Sequence, residues 1–154
     1  WKLLGKQTLH VPYNSYRLAS PELRYADLIK PGHIDPAPTR YELHRVWEVE
    51  ANLKQGERHV YAKRVFFIDE DSWQIVQADH YDARGTLWRV GEGHLQPYYN
   101  VQVPWLAVES LHDLLNGRYI TSGMKNEESQ GVEFGVKALA AEYTPAALRA
   151  SGVR

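Results

Sequence analysis

Between Tyr41 and Leu95 the chain carries four consecutive runs in which apolar side chains fall on both alternating sets of positions. The runs read RYELHRVWEVEANL, HVYAKRVFFID, SWQIVQADHYD and TLWRVGEGHL, with a few turn residues between them. A strand with one wet face alternates apolar and polar residues. Here Val60, Ala62, Phe66 and Ile68 point one way while Tyr61, Val65 and Phe67 point the other, so both sides of the sheet need cover.

The breaks at Gln55-Gly56-Glu57, Glu70-Asp71 and Ala83-Arg84-Gly85 have hairpin length, and the two glycines can take the left-handed conformations that tight hairpins use. An antiparallel meander is predicted. Pairing Asp69 with Ser72 and Asp82 with Thr86 would set Asp79 opposite Arg89, with Arg64 one diagonal step away, as a charged knot among aromatics.

Outside the meander the pattern is looser. Gln7 to Val11 reads as a short strand, followed by an irregular connection. Ser20-Pro21-Glu22 is a helix-start signature, predicting a helix from Pro21 to about Ile29 that Lys30-Pro31-Gly32 ends. The proline-rich run to Pro38 is unsuited to a sheet interior. Tyr98 to Trp105 reads as a strand broken by Pro104, and Val108 to Leu115 as a short helix closed by Asn116-Gly117. Arg118 to Ser122 and Val132 to Val136 read as late strands, and Thr144-Pro145 as the cap of a last helix to Ala150. These helices are too short to cover two faces of a wide sheet.

Composition narrows the chemistry. The 154 residues have the length of one domain, able to bury roughly 70% of the unfolded surface. Five Trp and 10 Tyr against 3 Phe favour rings that are apolar in the body and wet at the tip, as in binding grooves and interfaces. A net charge of −1 argues against a nucleic-acid partner. The absence of cysteine excludes disulfides, cysteine-ligated zinc and thiol catalysis. No run is apolar enough for a membrane-spanning helix, and the start at Trp1 rather than Met suggests a processed or partial chain.

Candidate chemistry is sparse. The seven histidines lack helical metal spacing, and a set of His44, His80 and His94 with Asp79 has no motif behind it. Asp69-Glu70-Asp71 reads as a turn. Gly91-Glu92-Gly93-His94 lacks the context of a phosphate loop; paired glycines in a strand more often permit a bulge or a close backbone approach. No serine or threonine sits beside a recognisable base, so neither a catalytic residue nor a cofactor is expected. Arg45, Lys63, Arg64 and Arg89 lie inside the strand pattern. Their stems could lie across apolar surface, or their heads could form the polar end of a greasy cavity.

The phrases PYNSYRL, PGHIDP, RYELHRVWEVEA, HVYAKRVFFIDEDSWQI and YDARGTLWRV resemble the C-terminal part of a Gram-negative envelope family labelled outer-membrane lipoprotein-sorting protein. The resemblance runs from about Val11 to the closing TPAALRASGVR. It implies a LolA/LolB-like architecture, mainly β with short helices: a curved antiparallel half-barrel with helices on its concave side and a hydrophobic cavity between. Members of that family are longer, so residues 1–154 are expected to form a single domain or a C-terminal fragment of one. The resemblance also implies a periplasmic location, traffic of hydrophobic or lipid-like molecules, and partners among outer-membrane channels and inner-membrane exporters.

The sequence therefore predicts a non-enzymatic carrier or adaptor without cofactor or metal, in peripheral contact with a membrane at most. Trp47, Tyr61, Val65, Phe66, Trp73 and Trp88 are expected to line the cavity, with Arg64 and Arg89 at its polar end. The alternative is a docking module whose aromatic surface packs against a protein partner.

Overall fold

In the computed structural model, which describes residues 1–152, one seven-stranded antiparallel sheet dominates the chain. Its strands, in chain order, are β1 (Lys2–Pro12), β4 (Tyr41–Asn52), β5 (Lys63–Asp69), β6 (Ile75–Tyr81), β7 (Leu87–Tyr98), β8 (Val103–Asp113) and β9 (Tyr119–Ser122). They lie side by side in that order, so apart from the step from β1 to β4 every connection is a hairpin. The sheet is open, with β1 and β9 at its edges.

The step from β1 to β4 supplies the cover for one face. It contains helix α1 (Tyr25–Leu28) and a small hairpin of β2 (Ile29–Lys30) and β3 (His33–Ile34). Leu18, Leu28 and Ile34 from this segment pack on Val108 of β8, and Asn126 donates to the carbonyls of Leu18 and Ser20 at 2.8 Å. A second cluster on the same face joins Val11, Val46, Val65, Phe67, Val76 and Leu95 across the sheet. With Val65 and Phe67 committed to this side, alternation sends Arg64 and Phe66 to the other. No comparable layer covers that other face among the described residues, and Leu43, Trp73, Ile75 and Ile120 stay exposed. The shortage of cover legible in the sequence is real, and it falls on one side.

Several expectations need correction. The helix expected over Pro21–Ile29 is a single turn, because the chain is needed in extended form from Ile29 to pair with Ile34. Val108–Leu115 is not helical: it continues β8, and each residue from Val103 to Asp113 that pairs does so with β7. Asn116-Gly117 closes a turn instead of a helix, with Gly117 at φ +70 and the N–H groups of Leu115 and Asn116 both donating to Oδ1 of Asp113. No strand forms at Val132–Val136, and β5 begins at Lys63 rather than His59. The closing helix α2 (Pro145–Ser151) is as expected, its first turn capped by Thr144 Oγ1 accepting from the Ala147 N–H at 3.2 Å. No helix among the described residues is long and apolar enough to cross a membrane.

Candidate functional site

The register of the sheet lines up two rungs on the uncovered face. The first runs Val49, Phe66, Ala78, Gly91, Leu111 and Ile120 across β4 to β9. The second, two residues along each strand, runs Ala51, Arg64, His80, Arg89 and Asp113. An apolar row thus lies about 7 Å from a charged row on one surface.

The apolar row is hollowed. Ala78, Gly91 and Gly93 carry little or no side chain, so the sheet backbone forms the floor of an open groove of about 650 Å³. Phe66, Trp73, Ile75, Leu106, Leu111 and Ile120 form its sides. Gly93 is required: a Cβ there would stand 2.9 Å from the Ile75 carbonyl oxygen and 2.9 Å from Leu106 Cδ2. Gly93 therefore serves the close backbone approach that the glycine pair suggested, while at Gly91 the atoms nearest an added Cβ would stand at 3.7 Å. The volume lies inside the roughly 300–1,000 Å³ span of small-molecule sites.

At the charged row a β-bulge changes what the sequence implied. Asp82 pairs with Thr86 as expected, but the register slips by one between Tyr81 and His80, so Asp79 faces Val90 and Arg89 faces His80. The expected Asp79–Arg89 knot does not form. Trp88 is the extra residue, and its indole N–H reaches the same Asp113 oxygen, Oδ2, as the Arg89 guanidinium, at 3.0 and 3.1 Å. Arg89 also donates to the Tyr61 hydroxyl at 2.8 Å and lies over the Trp88 ring. Burial opposes ionisation of Asp113, but Arg89, Trp88 and the Leu115 and Asn116 N–H groups hold its carboxyl below the usual range. His80, between Arg64 and Arg89, is pushed down, first by burial, with the Arg64 charge acting the same way. Arg64 lies near the Tyr61 ring and against His59, with no carboxylate partner among the described residues.

Tyr61, Arg64, Phe66, Trp73, Trp88 and Arg89 therefore gather along the two rungs and their rim. Trp47 lies on the same face, opposite Ile68 and beneath the Lys6 ammonium at 4.2 Å, away from the groove. Val65 points to the covered side and is buried in the core. The late strands' share, Leu106, Leu111 and Ile120, is not expected from the sequence: Leu111 falls in the run that reads as helix, and Leu106 and Ile120 reach the groove only through pairing of β8 with β7 and β9.

The histidines do not converge. His44 Nδ1 donates to Asp69 on the covered face, His94 is buried in the core, and His80 stands on the open face. His44, Asp69 and Asp71 bring three donor atoms within 4.8 Å of one another. Both Asp69 oxygens are already engaged, one by His44 and the other by the N–H and hydroxyl of Ser72, so the group acts as a hydrogen-bonded turn.

Comparison with known proteins adds the following. The family model described as "Protein of unknown function (DUF1329)" matches residues 1–149. The Uncharacterized protein PA3922 of Pseudomonas aeruginosa is 60% identical over 154 residues, which are 100% of this chain and 34% of that protein. The chain thus spans about a third of that relative's length. Two solved structures match in part, each over 51% of this chain and 32% of the other. One is a Vibrio parahaemolyticus domain whose name refers to outer membrane lipoprotein sorting, at 15% identity and a TM-score of 0.41. The other is a DUF1329 family protein from Desulfovibrio piger, at 16% identity and a TM-score of 0.42.

Proposed function

We propose that this chain, which belongs to the family described as Protein of unknown function (DUF1329), binds the apolar part of a hydrophobic or amphipathic, lipid-like ligand in the open groove. In this reading it is a carrier or adaptor in envelope traffic, not an enzyme. The observation that carries it is the groove itself: a backbone floor of Ala78, Gly91 and Gly93 walled by large apolar side chains, with Trp73 and Ile120 left 70% and 66% exposed at the rim. Such a surface costs solubility unless something covers it, and a contiguous apolar patch of this kind marks a binding site. An acyl chain suits it because burial of each methylene contributes about 0.8 kcal/mol without directional bonds. A periplasmic location, with outer-membrane channels or inner-membrane exporters as partners, is supported by the resemblance of the strand phrases to envelope proteins.

The test is uptake of a fluorescent fatty-acid probe. Phe66→Asp and Trp73→Asp place a carboxylate in the groove wall and should abolish uptake in variants that still fold by circular dichroism. Undiminished uptake in such a variant rules the groove out.

A second reading, a docking module, is favoured by the two sheet edges: β1 and β9 each pair on one side only. Native mass spectrometry separates the two readings. A copurifying lipid supports the carrier, and a stoichiometric protein with an empty groove supports docking.

A further inference from the structure

We infer that the ligand's head is a phosphate-type anion held by Lys54, Arg58 and Arg64, an inference that rests on the groove reading above and specifies which amphiphile the groove takes. A second depression, of about 360 Å³, adjoins the apolar groove and is lined by Trp1, Lys54, Arg58, His59, Tyr61 and Arg64, among others. Trp1 stacks on Phe66 at a centroid distance of 5.8 Å, so this pair forms the wall between the two depressions. Along β5 the change from apolar to basic takes two residues, Phe66 to Arg64, on one face. A molecule lying along this surface would have its tail over Gly91 and its head beside Arg64.

The three cations at the basic end are not tied up in ion pairs. Among the described residues, neither Lys54, Arg58 nor Arg64 forms an ion pair, whereas Lys6 and Arg45 share Glu70, and Arg89 is held by Asp113. Glu57 is the one carboxylate lining the depression. Lys and Arg residues without an ion pair are common among the described residues; what sets these three apart is that they line one depression together, beside the apolar groove. The hairpin is also shaped: Leu53 N–H bonds the Ala62 carbonyl at 2.9 Å, Glu57 N–H bonds the Lys54 carbonyl at 3.1 Å, and Gly56 turns the chain at φ +86. Lys54 and Arg58 therefore flank a closed turn. Guanidinium groups match a phosphate by paired hydrogen bonds, and an ammonium adds a point charge. Arg89, expected at the polar end from sequence, is already neutralised, and the hairpin cations take its place.

Calorimetric titration with lysophosphatidic acid and with monoacylglycerol of the same acyl chain, both below their micelle concentrations, tests this, with inorganic phosphate as a third ligand. The charged lipid should bind about tenfold tighter than the neutral one, a gap of the size expected for charge-assisted hydrogen bonds. Lys54→Glu with Arg58→Glu should shrink the gap to under about twofold; both positions are exposed turn residues, and the thermal transition reports whether the variant folds. Equal affinity for the two lipids overturns the anionic head and leaves the groove reading standing. Binding of neither lipid removes the groove reading. Inorganic phosphate binding as tightly as lysophosphatidic acid identifies a free-anion site and overturns the link between head and groove.

Discussion

Nδ1 of His44 donates to Oδ1 of Asp69 at 2.7 Å, tying β4 to the last residue of β5 beneath the ring of Tyr13. The other oxygen of Asp69, Oδ2, accepts from the N–H and the hydroxyl of Ser72, so one fully buried carboxylate fixes a strand end and the turn after it. The same turn carries Trp73 to the groove rim. A structural ion pair on the covered face thereby positions a side chain on the open one.

Stability should report this pair through pH. Burial of the His44 ring disfavours its charge, but hydrogen bonds and charges from Asp69 and Glu42 outweigh that, and the pKa rises above 6.5. A folded-state pKa above the unfolded one gives a contribution fully present below pH 6.5 and lost as pH rises through the folded value. Asp69→Asn removes the charge and keeps the shape. It should cost about 1–3 kcal/mol at pH 6, the scale of a charged hydrogen bond broken in a buried place, and less at pH 9. Urea midpoints of both proteins at the two pH values measure this; a gap that does not narrow at pH 9 means the bond is not ionic.

His94 works in the opposite sense. It is 1% exposed, neither ring nitrogen has a hydrogen-bond partner, and burial, aided by the charge of His112, lowers its pKa to about 4. Glu92 lies 3.9 Å away, but with the imidazole held neutral this is not an ion pair. The unfolded chain binds the proton more readily, so stability is complete above about pH 6.5 and falls as pH drops toward 4, by about 3 kcal/mol in total. His94→Leu breaks no hydrogen bond. It should leave stability at pH 8 within about 1 kcal/mol of the parent and flatten the loss between pH 6.5 and 4 in a denaturation series.

Much of this was legible in the sequence because turn chemistry is local. Gly56 and Gly85 take positive φ at the two hairpins where their presence predicted it, and the Asp82–Thr86 closure is as read. The family resemblance carried by the strand phrases agrees with the family match over residues 1–149. What failed depended on distant partners. The Trp88 bulge is stabilised by Asp113, 25 residues on, and nothing near Trp88 announces it. Val108–Leu115 has a helical apolar spacing and an Asn-Gly stop, yet Asn-Gly serves a hairpin equally well and pairing with β7 decided the outcome. Nothing in the local sequence singles out Lys54 or Arg58; their significance appears only once Phe66 and Arg64 are known to share the uncovered face.

The two groove glycines should respond differently to the same change. At Gly91 an added methyl would meet its nearest neighbours at 3.7 Å, ordinary contact, whereas at Gly93 it would press a backbone oxygen at 2.9 Å that has no rotamer to escape by. Gly91→Ala should shift stability by less than about 1 kcal/mol. Gly93→Ala should cost about 1–3 kcal/mol, typical of overpacking. Thermal denaturation of both variants checks the order, and equal losses would place the strands farther apart than they are here.

Trp73 separates stability from function. It sits at φ +58, a left-handed conformation that costs a non-glycine residue roughly 1 kcal/mol, and at 70% exposure it recovers little by burial. Strain without packing benefit marks a residue kept for something other than folding. Trp73→Gly removes both the strain and the indole, so the variant should be as stable as the parent or up to about 1 kcal/mol more stable. Its affinity for the fatty-acid probe should fall, because the indole forms part of the groove wall. Trp73→Ala keeps the left-handed cost and should lose the same affinity without the gain in stability. If either variant binds the probe as the parent does, the indole has no part in holding the ligand. If Trp73→Gly is less stable than Trp73→Ala, the indole's absence is not offset by relief at the backbone and the strain argument fails.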